Sequence, residues 1–176
     1  ESVIDLIEGD KKRVLILDGI EDPHNLGAIL RSVDAFSYDA VILPKNRSCN
    51  ITETVAHVST GAIEHVKIAY VNSLNTIVLR LKERGYWICG TDAKGDILAS
   101  QIDPSLDLAV IIGSEGFGMS KTLVNALFYI ARHNPRNINS STSSELVLAS
   151  KILDGIKSGK YRNPSNKTTV EERLNI

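Results

Sequence analysis

Short β-branched apolar runs alternate along this chain with segments of helical period, and that alternation limits the folds open to it. The runs fall at residues 14–17, 40–43, 65–69, 86–89, 108–112 and 128–131. Each is long enough for a buried strand and too short for an ordinary helix. Between the first two, Leu26, Ile29, Leu30 and Val33 recur at helical spacing, and residues 51–58, 74–81, 121–127 and 146–156 read as further helices. Pro44, Gly61 and Gly85 punctuate these segments as terminators. The polar stretch 92–107 reads as a connection that crosses to the strand at 108. Six strands with intervening helices predict a parallel-sheet, layered α/β domain whose strands are covered on both faces.

Composition narrows the class. With 176 residues, 43% of them hydrophobic, the chain can bury one sizeable core, and no apolar run reaches the length of a membrane span. Twenty basic against twenty-one acidic residues leave a net charge of −1, so a nucleic-acid partner would have to meet a local patch or another part of a longer chain. Lys45, Arg47, Lys157, Lys160 and Arg162 are candidate phosphate contacts, although scattered surface cations are the better explanation of them. Cys49 and Cys89 form no C-x-x-C, and His24, His57, His65 and His133 lack ligand spacing. The expectation is a reduced, metal-free, cytoplasmic protein. The first residue is Glu1, and no signal-peptide pattern follows it. Residues 1–12 read as a linker, 13–157 as the folded domain and 158–176 as a polar tail.

Two motifs carry chemistry. In AVIIGSEGFGMS an apolar strand ends abruptly in Gly113, Glu115, Gly116 and Gly118. Glycines there permit close backbone approach, which suits a loop wrapped against a ligand at the carboxyl end of a strand, with Ser120 placed to cap the next helix. The spacing matches neither a Walker loop nor G-x-G-x-x-G. The plain reading is a tight turn bearing an exposed acid. In DPHNLGAILRSVDAF, Asp22, Pro23 and Asn25 are turn and cap residues, and Arg31 follows Asn25 by nearly two helical turns. Here the plain reading is an N-cap, a packing glycine at Gly27 and a solvated arginine. Trp87 lies in an apolar strand and reads as core.

In this order and separation, the two motifs resemble the SpoU/TrmH family of S-adenosylmethionine-dependent RNA 2′-O-ribose methyltransferases. The likeness extends through VSTGAIEHVKIAYVNSL and covers roughly residues 14–156. Among relatives the chain looks most similar to the 23S rRNA guanosine-2′-O-methyltransferase branch, whose members carry a small RNA-binding domain ahead of the catalytic one. Residues 1–12 would then be what remains of the connection to it. The resemblance implies a SPOUT fold, in which the C-terminal part of the domain threads a loop to form a deep trefoil knot, and a homodimer. It also implies that Thr91, Gly113, His133 and Thr142 contact the cofactor.

The chemistry accounts for the catalytic set. A ribose 2′-hydroxyl is a poor nucleophile at neutral pH, and attack on a sulfonium methyl needs proton removal and alignment. The resemblance assigns hydroxyl activation to Arg31, helped by the neighbouring RNA phosphate. Arginine is effectively always protonated, so it acts by binding phosphate and orienting the ribose rather than as a simple base. Asn25 and Glu115 would position Arg31 and the nucleotide, and Ser141 keeps its family place. No metal is needed, and no membrane is expected. His24, beside Asn25, could touch RNA, but the plain reading is a turn histidine and no more.

The third motif departs from the family pattern I-P-x-x-G-x-x-x-S-L-N-V-S. Leucine is replaced by Thr142 and asparagine by Ser143, with Glu145 beyond. That leaves three readings: an rRNA methyltransferase, a tRNA methyltransferase, and a non-catalytic relative that binds RNA or assists assembly. A nicotinamide-dependent oxidoreductase is distant, since no G-x-G-x-x-G follows the first strand.

Overall fold

The computed structural model describes residues 12–92, 97–98, 102–103, 105–114, 116–125 and 129–132. In chain order these form β1 (Arg13–Asp18), α1 (Pro23–Ala35), β2 (Ala40–Pro44), α2 (Glu53–Val58), β3 (Ile68–Val71), α3 (Leu74–Glu83), β4 (Trp87–Asp92), β5 (Ile97–Leu98), β6 (Leu108–Gly113), α4 (Lys121–Val124) and β7 (Tyr129–Arg132). The strands make one sheet in the order β3-β2-β1-β6-β4-β7-β5. Every pairing in it is parallel.

The expected α/β layering follows from how β1 is buried. Val14, Leu15, Ile16 and Leu17 are all 0% exposed, so this strand must be covered on both faces. Alternation along the strand sends Val14 and Ile16 to one side, with Ile88 and Ile111, against Ile77, Val78 and Leu81 of α3 and Leu123 of α4. Leu15 and Leu17 face the other side, with Val110 and Ile112, against Leu26, Ile29, Leu30 and Val33 of α1 and Val55 of α2. Each fully buried aliphatic side chain contributes about 1.5–3 kcal/mol, so the central strands supply much of the driving force.

Local chemistry moves several boundaries away from the sequence reading. The cap of α1 is Asp22, whose carboxylate accepts from the His24 N–H at 2.9 Å. Pro23 occupies the first turn, where its missing N–H costs nothing, and Asn25 is the third helical residue rather than the cap. Thr52 accepts from the Val55 N–H at 3.3 Å, so α2 begins at Glu53 and not at residue 51. The strand expected at 65–69 begins at Ile68, because a 3-10 turn over Ala62–Glu64 continues into a Val66 N–H to Ala62 carbonyl bond of 3.1 Å. The polar stretch 92–107 contains the short edge strand β5, which pairs with β7 through Ile97↔Ala131 and Leu98↔Arg132. The helix expected over 121–127 ends at Val124, with Asn125 as its C-cap. The expected helix 146–156, residues 1–11, the tail and the segment to which a knot would belong lie outside the described residues.

The α1–α2 contact rests on Gly27. A Cβ there would lie 2.7 Å from Val58 Cβ and 3.1 Å from the Val55 carbonyl oxygen, both fixed by the α2 backbone. Helix propensity favours alanine over glycine by about 1 kcal/mol. Overpacking costs about 1–3 kcal/mol and outweighs that gain when rigid atoms must move. Gly27→Ala is therefore expected to destabilise the domain by about 1 kcal/mol, a drop of a few degrees in a thermal melt.

Tyr86, only 4% exposed, reports on the opposite face. Burial first, then the Asp107 and Asp39 carboxylates, push its phenol up to about 12. The neutral form is thus favoured in the folded state. The resulting stability is complete below the unfolded phenol range near pH 10 and is lost as pH rises towards 12. Denaturation midpoints measured across that window should fall in the wild type and fall less steeply in Tyr86→Phe.

Candidate ligand-binding edge of the sheet

The sheet forks at its carboxyl edge. The β1–β6 ladder runs to its end at Asp18↔Gly113, whereas β4 leaves β6 after Gly90↔Ile111. Beyond that point β4 stays with β7, through Thr91↔Ala131 and Asp92↔Arg132. Thr91 and Asp92 therefore stand on one side of a split and Ile112 and Gly113 on the other. The Thr91 hydroxyl donates to the Ile111 carbonyl at 3.2 Å, satisfying a backbone acceptor where the ladder ends. The strand order also reverses here: the chain builds from β1 out to β2 and β3, then crosses to β4 on the far side of β6. Open α/β sheets bind ligands at the carboxyl ends of strands where the order reverses.

Three loops meet at this edge. After β6 the chain folds back on itself, with the Ser114 N–H donating to the Gly118 carbonyl at 3.1 Å and the Gly118 N–H donating to the Ser114 carbonyl at 2.9 Å. A Cβ on Gly113 would lie 2.1 Å from the Gly118 carbonyl carbon and 2.2 Å from the Met119 nitrogen. The missing side chain at Gly113 is thus required for the loop to close on itself, which leaves ligand contact there to backbone groups. Asp18 then accepts from the Ser120 N–H at 2.7 Å. Ser120 holds the N-cap position of α4, but its side chain makes no capping bond, so the sequence reading of it as the cap is corrected by the Asp18 contact. The loop after β2 joins the same array, since the Cys49 N–H donates to the Ile20 carbonyl at 2.8 Å.

Of the residues singled out from sequence, Thr91 and Gly113 come together on the two lips of the split. Asn25 lies half-buried in the first turn of α1, close to the edge from which that helix departs. Arg31 is exposed, about 9 Å further along the helix axis and about 120° around it. Gly27 serves the α2 contact described above. Glu115, Ser141, His133 and Thr142 lie outside the described residues. Trp87 is half-buried at the start of β4, and His24 is exposed.

The thiols offer no nucleophile. Cys89 is 1% exposed, and burial followed by the Asp22 carboxylate pushes the Cys49 thiol up. Among the described residues no three His, Cys, Asp or Glu side chains gather as a metal centre would require. No helix among them is long and apolar enough to cross a membrane. Sequence reading missed Asp18 and the fork itself. The signal for Asp18 was an acid followed by glycine at the end of an apolar strand, whereas the fork depends on which strands stop pairing and leaves no local trace.

A parallel sheet with a forked carboxyl edge and a self-closing glycine loop is a setting in which α/β domains bind ligands. The chain belongs to the SpoU rRNA Methylase family, whose pattern matches residues 12–148. It is 47% identical over 132 residues to a TrmH family tRNA/rRNA methyltransferase of Staphylococcus aureus, a match covering 74% of this chain and 53% of that protein. The chain thus spans about half the length of the curated relatives it matches. The fold resembles the SpoU methyltransferase AviRb from Streptomyces viridochromogenes, solved with its cofactor AdoMet, at a TM-score of 0.78 and 20% identity over 89% of this chain and 61% of that one. It also resembles the AdoMet-bound rRNA methyltransferase from Sinorhizobium meliloti, at a TM-score of 0.75 and 21% identity over 93% and 62% of the two chains.

The two neighbouring glycines of the loop should respond differently to substitution. Gly113→Ala forces backbone atoms apart and is expected to cost about 3 kcal/mol in chemical denaturation. Gly116→Ala meets nothing within 4 Å and should stay within about 0.5 kcal/mol of the parent.

Proposed function

We propose that this chain is the catalytic domain of an S-adenosylmethionine-dependent RNA 2′-O-ribose methyltransferase that acts on a guanosine of 23S rRNA. The observation that carries the reading is the split between β4 and β6, with Thr91 and Gly113 on its lips and the helix bearing Asn25 and Arg31 leaving the adjacent strand. The split fits an adenosine-bearing cofactor. It leaves backbone groups of Thr91, Asp92, Ile112 and Gly113 outside the β4–β6 ladder, and such groups can serve the hydrogen-bonding edges of a purine nucleoside. Thr91 and Gly113 would hold that cofactor together with His133 and Thr142. When bound it supplies a methyl group on a sulfonium, an electrophile that needs no metal.

The chain's own residues prepare the nucleophile. Arg31 takes a bidentate hold on the phosphate beside the target ribose and thereby fixes the ribose. The hydroxyl proton would leave to that phosphate or to water, which would ready the 2′-oxygen for the methyl group that the cofactor would supply. Asn25 and Glu115 orient Arg31 and the nucleotide, and Ser141 completes the acceptor side. The reading includes a homodimer in the cytoplasm, a trefoil knot built by the chain after β7, a linker over residues 1–12 to an RNA-binding domain, and a polar tail over 158–176.

One observation favours a second reading. Thr142 and Ser143 stand where the family pattern has leucine and asparagine, as expected for a relative that binds RNA without turnover. The two separate in an assay of methyl transfer from labelled S-adenosylmethionine to transcripts of 23S rRNA and tRNA, followed by mapping of nuclease-resistant 2′-O-methyl linkages. The proposal expects label on a 23S guanosine ribose, with Arg31→Ala reducing kcat by about 10²–10⁴-fold. Label on tRNA alone would replace the substrate. RNA binding without transfer would establish the second reading.

A further inference from the structure

The hairpin after β6 presents Phe117 to solvent with 97% of its surface exposed, far beyond Leu79 at 56% and Ile51 at 39%. An exposed phenylalanine forgoes about 2 kcal/mol of burial, which a bound partner can recover. The loop beneath it is anchored by the Ser114–Gly118 pair, by the Phe117 N–H to Ser114 Oγ bond of 3.3 Å, and by Asp18 holding Ser120. The ring is flanked by Gly116 and Gly118, and a Cβ built on either would find nothing within 4 Å. Both glycine positions are therefore sterically open, and among the described residues Ile51 and Leu79 are the other exposed large apolar side chains, too few for the contiguous patch that a protein partner uses.

The charge beside it indicates what binds. Lys45 and Arg47 are exposed in the loop that follows β2, which β1 alone separates from β6, so the two loops leave the carboxyl edge about 10 Å apart. That loop is also anchored. Ser48 Oγ donates to the Pro44 carbonyl, the Cys49 N–H donates to Ile20, and the Tyr70 hydroxyl donates to the Cys49 carbonyl at 2.9 Å. Arg47 is held at φ +57°, a left-handed conformation that a non-glycine residue adopts only when its surroundings impose it. Two exposed cations in a loop that leaves the edge about 10 Å from the loop bearing an exposed aromatic ring supply the parts of a short phosphate track with a stacking platform, the arrangement that recognises unpaired nucleic acid.

We propose that Phe117 stacks on a base of single-stranded RNA next to the methylated ribose while Lys45 and Arg47 hold the phosphates of the same strand, so that the substrate is presented unpaired. This deepens the methyltransferase reading and rests on it.

The test uses the whole chain and a 12-nucleotide RNA carrying 2-aminopurine, single-stranded or annealed to its complement, at low salt. The wild type is expected to bind the single strand more tightly than the duplex, with 2-aminopurine quenched by stacking. Phe117→Ala should weaken single-strand binding by about 5- to 150-fold and remove the quench, and Phe117→Trp should restore both. A Lys45→Ala, Arg47→Ala double variant should keep the quench at saturating RNA and lower the salt slope by about 1.4. Thermal melts establish that each variant is folded. Equal binding by wild type and Phe117→Ala overturns the proposal, as does equal affinity for duplex or absence of RNA binding. A fall in sedimentation mass for RNA-free Phe117→Ala also overturns it, by assigning the ring to a contact between copies of the chain. Titration of the wild type with S-adenosylmethionine reports separately on the methyltransferase reading, whose failure would leave the stacking result standing as RNA binding alone.

Discussion

A single hydrogen bond, from the Ser120 N–H to the Asp18 carboxylate at 2.7 Å, spans 102 positions and holds the carboxyl edge together. Being charge-assisted and partly buried, it is stronger than a neutral pair in water. Asp18 can make it because β1 and β6 pair along their whole lengths, which brings the end of one strand level with the end of the other. The glycine loop then has both ends fixed, one by the ladder at Gly113 and the other at Ser120. Without the second tie, the close approach of Gly118 and Met119 to Gly113 would rest on bonds within the hairpin, such as the Ser114–Gly118 backbone pair and the Phe117 N–H to Ser114 Oγ bond.

The layered fold was legible because the central strands are apolar on both faces. Val14 to Leu17 and Ala109 to Ile112 announce parallel strands covered by helices, and the helical spacing of Leu26, Ile29, Leu30 and Val33 names the covering face of α1. What failed was decided by competing local chemistry. Asn25 is a good capping residue, yet Asp22 precedes a proline and takes the cap, which moves Asn25 into the helix. Val66 looks like strand, yet the left-handed Gly61 starts a 3-10 turn that consumes it. The edge strand β5 is two residues long and pairs with a strand much later in the chain, so no periodicity could reveal it.

The site was legible to a different degree on each side of the split. Thr91 and Gly113 were identified by motif, and the sheet register sets them on opposite lips. The glycine loop was recognised as a special backbone whose glycines allow close approaches, and at Gly113 the close approach is made by the loop itself, through Gly118 and Met119. A glycine in the sequence marks a place where a close approach is allowed, and the coordinates show what makes it.

That distinction sorts the motif residues by the kind of constraint each meets. Gly27 and Gly113 are fixed by contacts within the protein, at 2.7 Å to Val58 Cβ and 2.1 Å to the Gly118 carbonyl carbon, and the fold alone accounts for them. Thr91 has a structural duty as well, since its hydroxyl serves the Ile111 carbonyl where the ladder ends. Arg31 is different. It lies on the exposed side of a helix whose buried apolar face is formed by Leu26, Ile29, Leu30 and Val33. Exposed helical positions accept many residues with little effect on stability. Under the function proposed above, the planar, permanently charged fork of an arginine at that place is suited to phosphate.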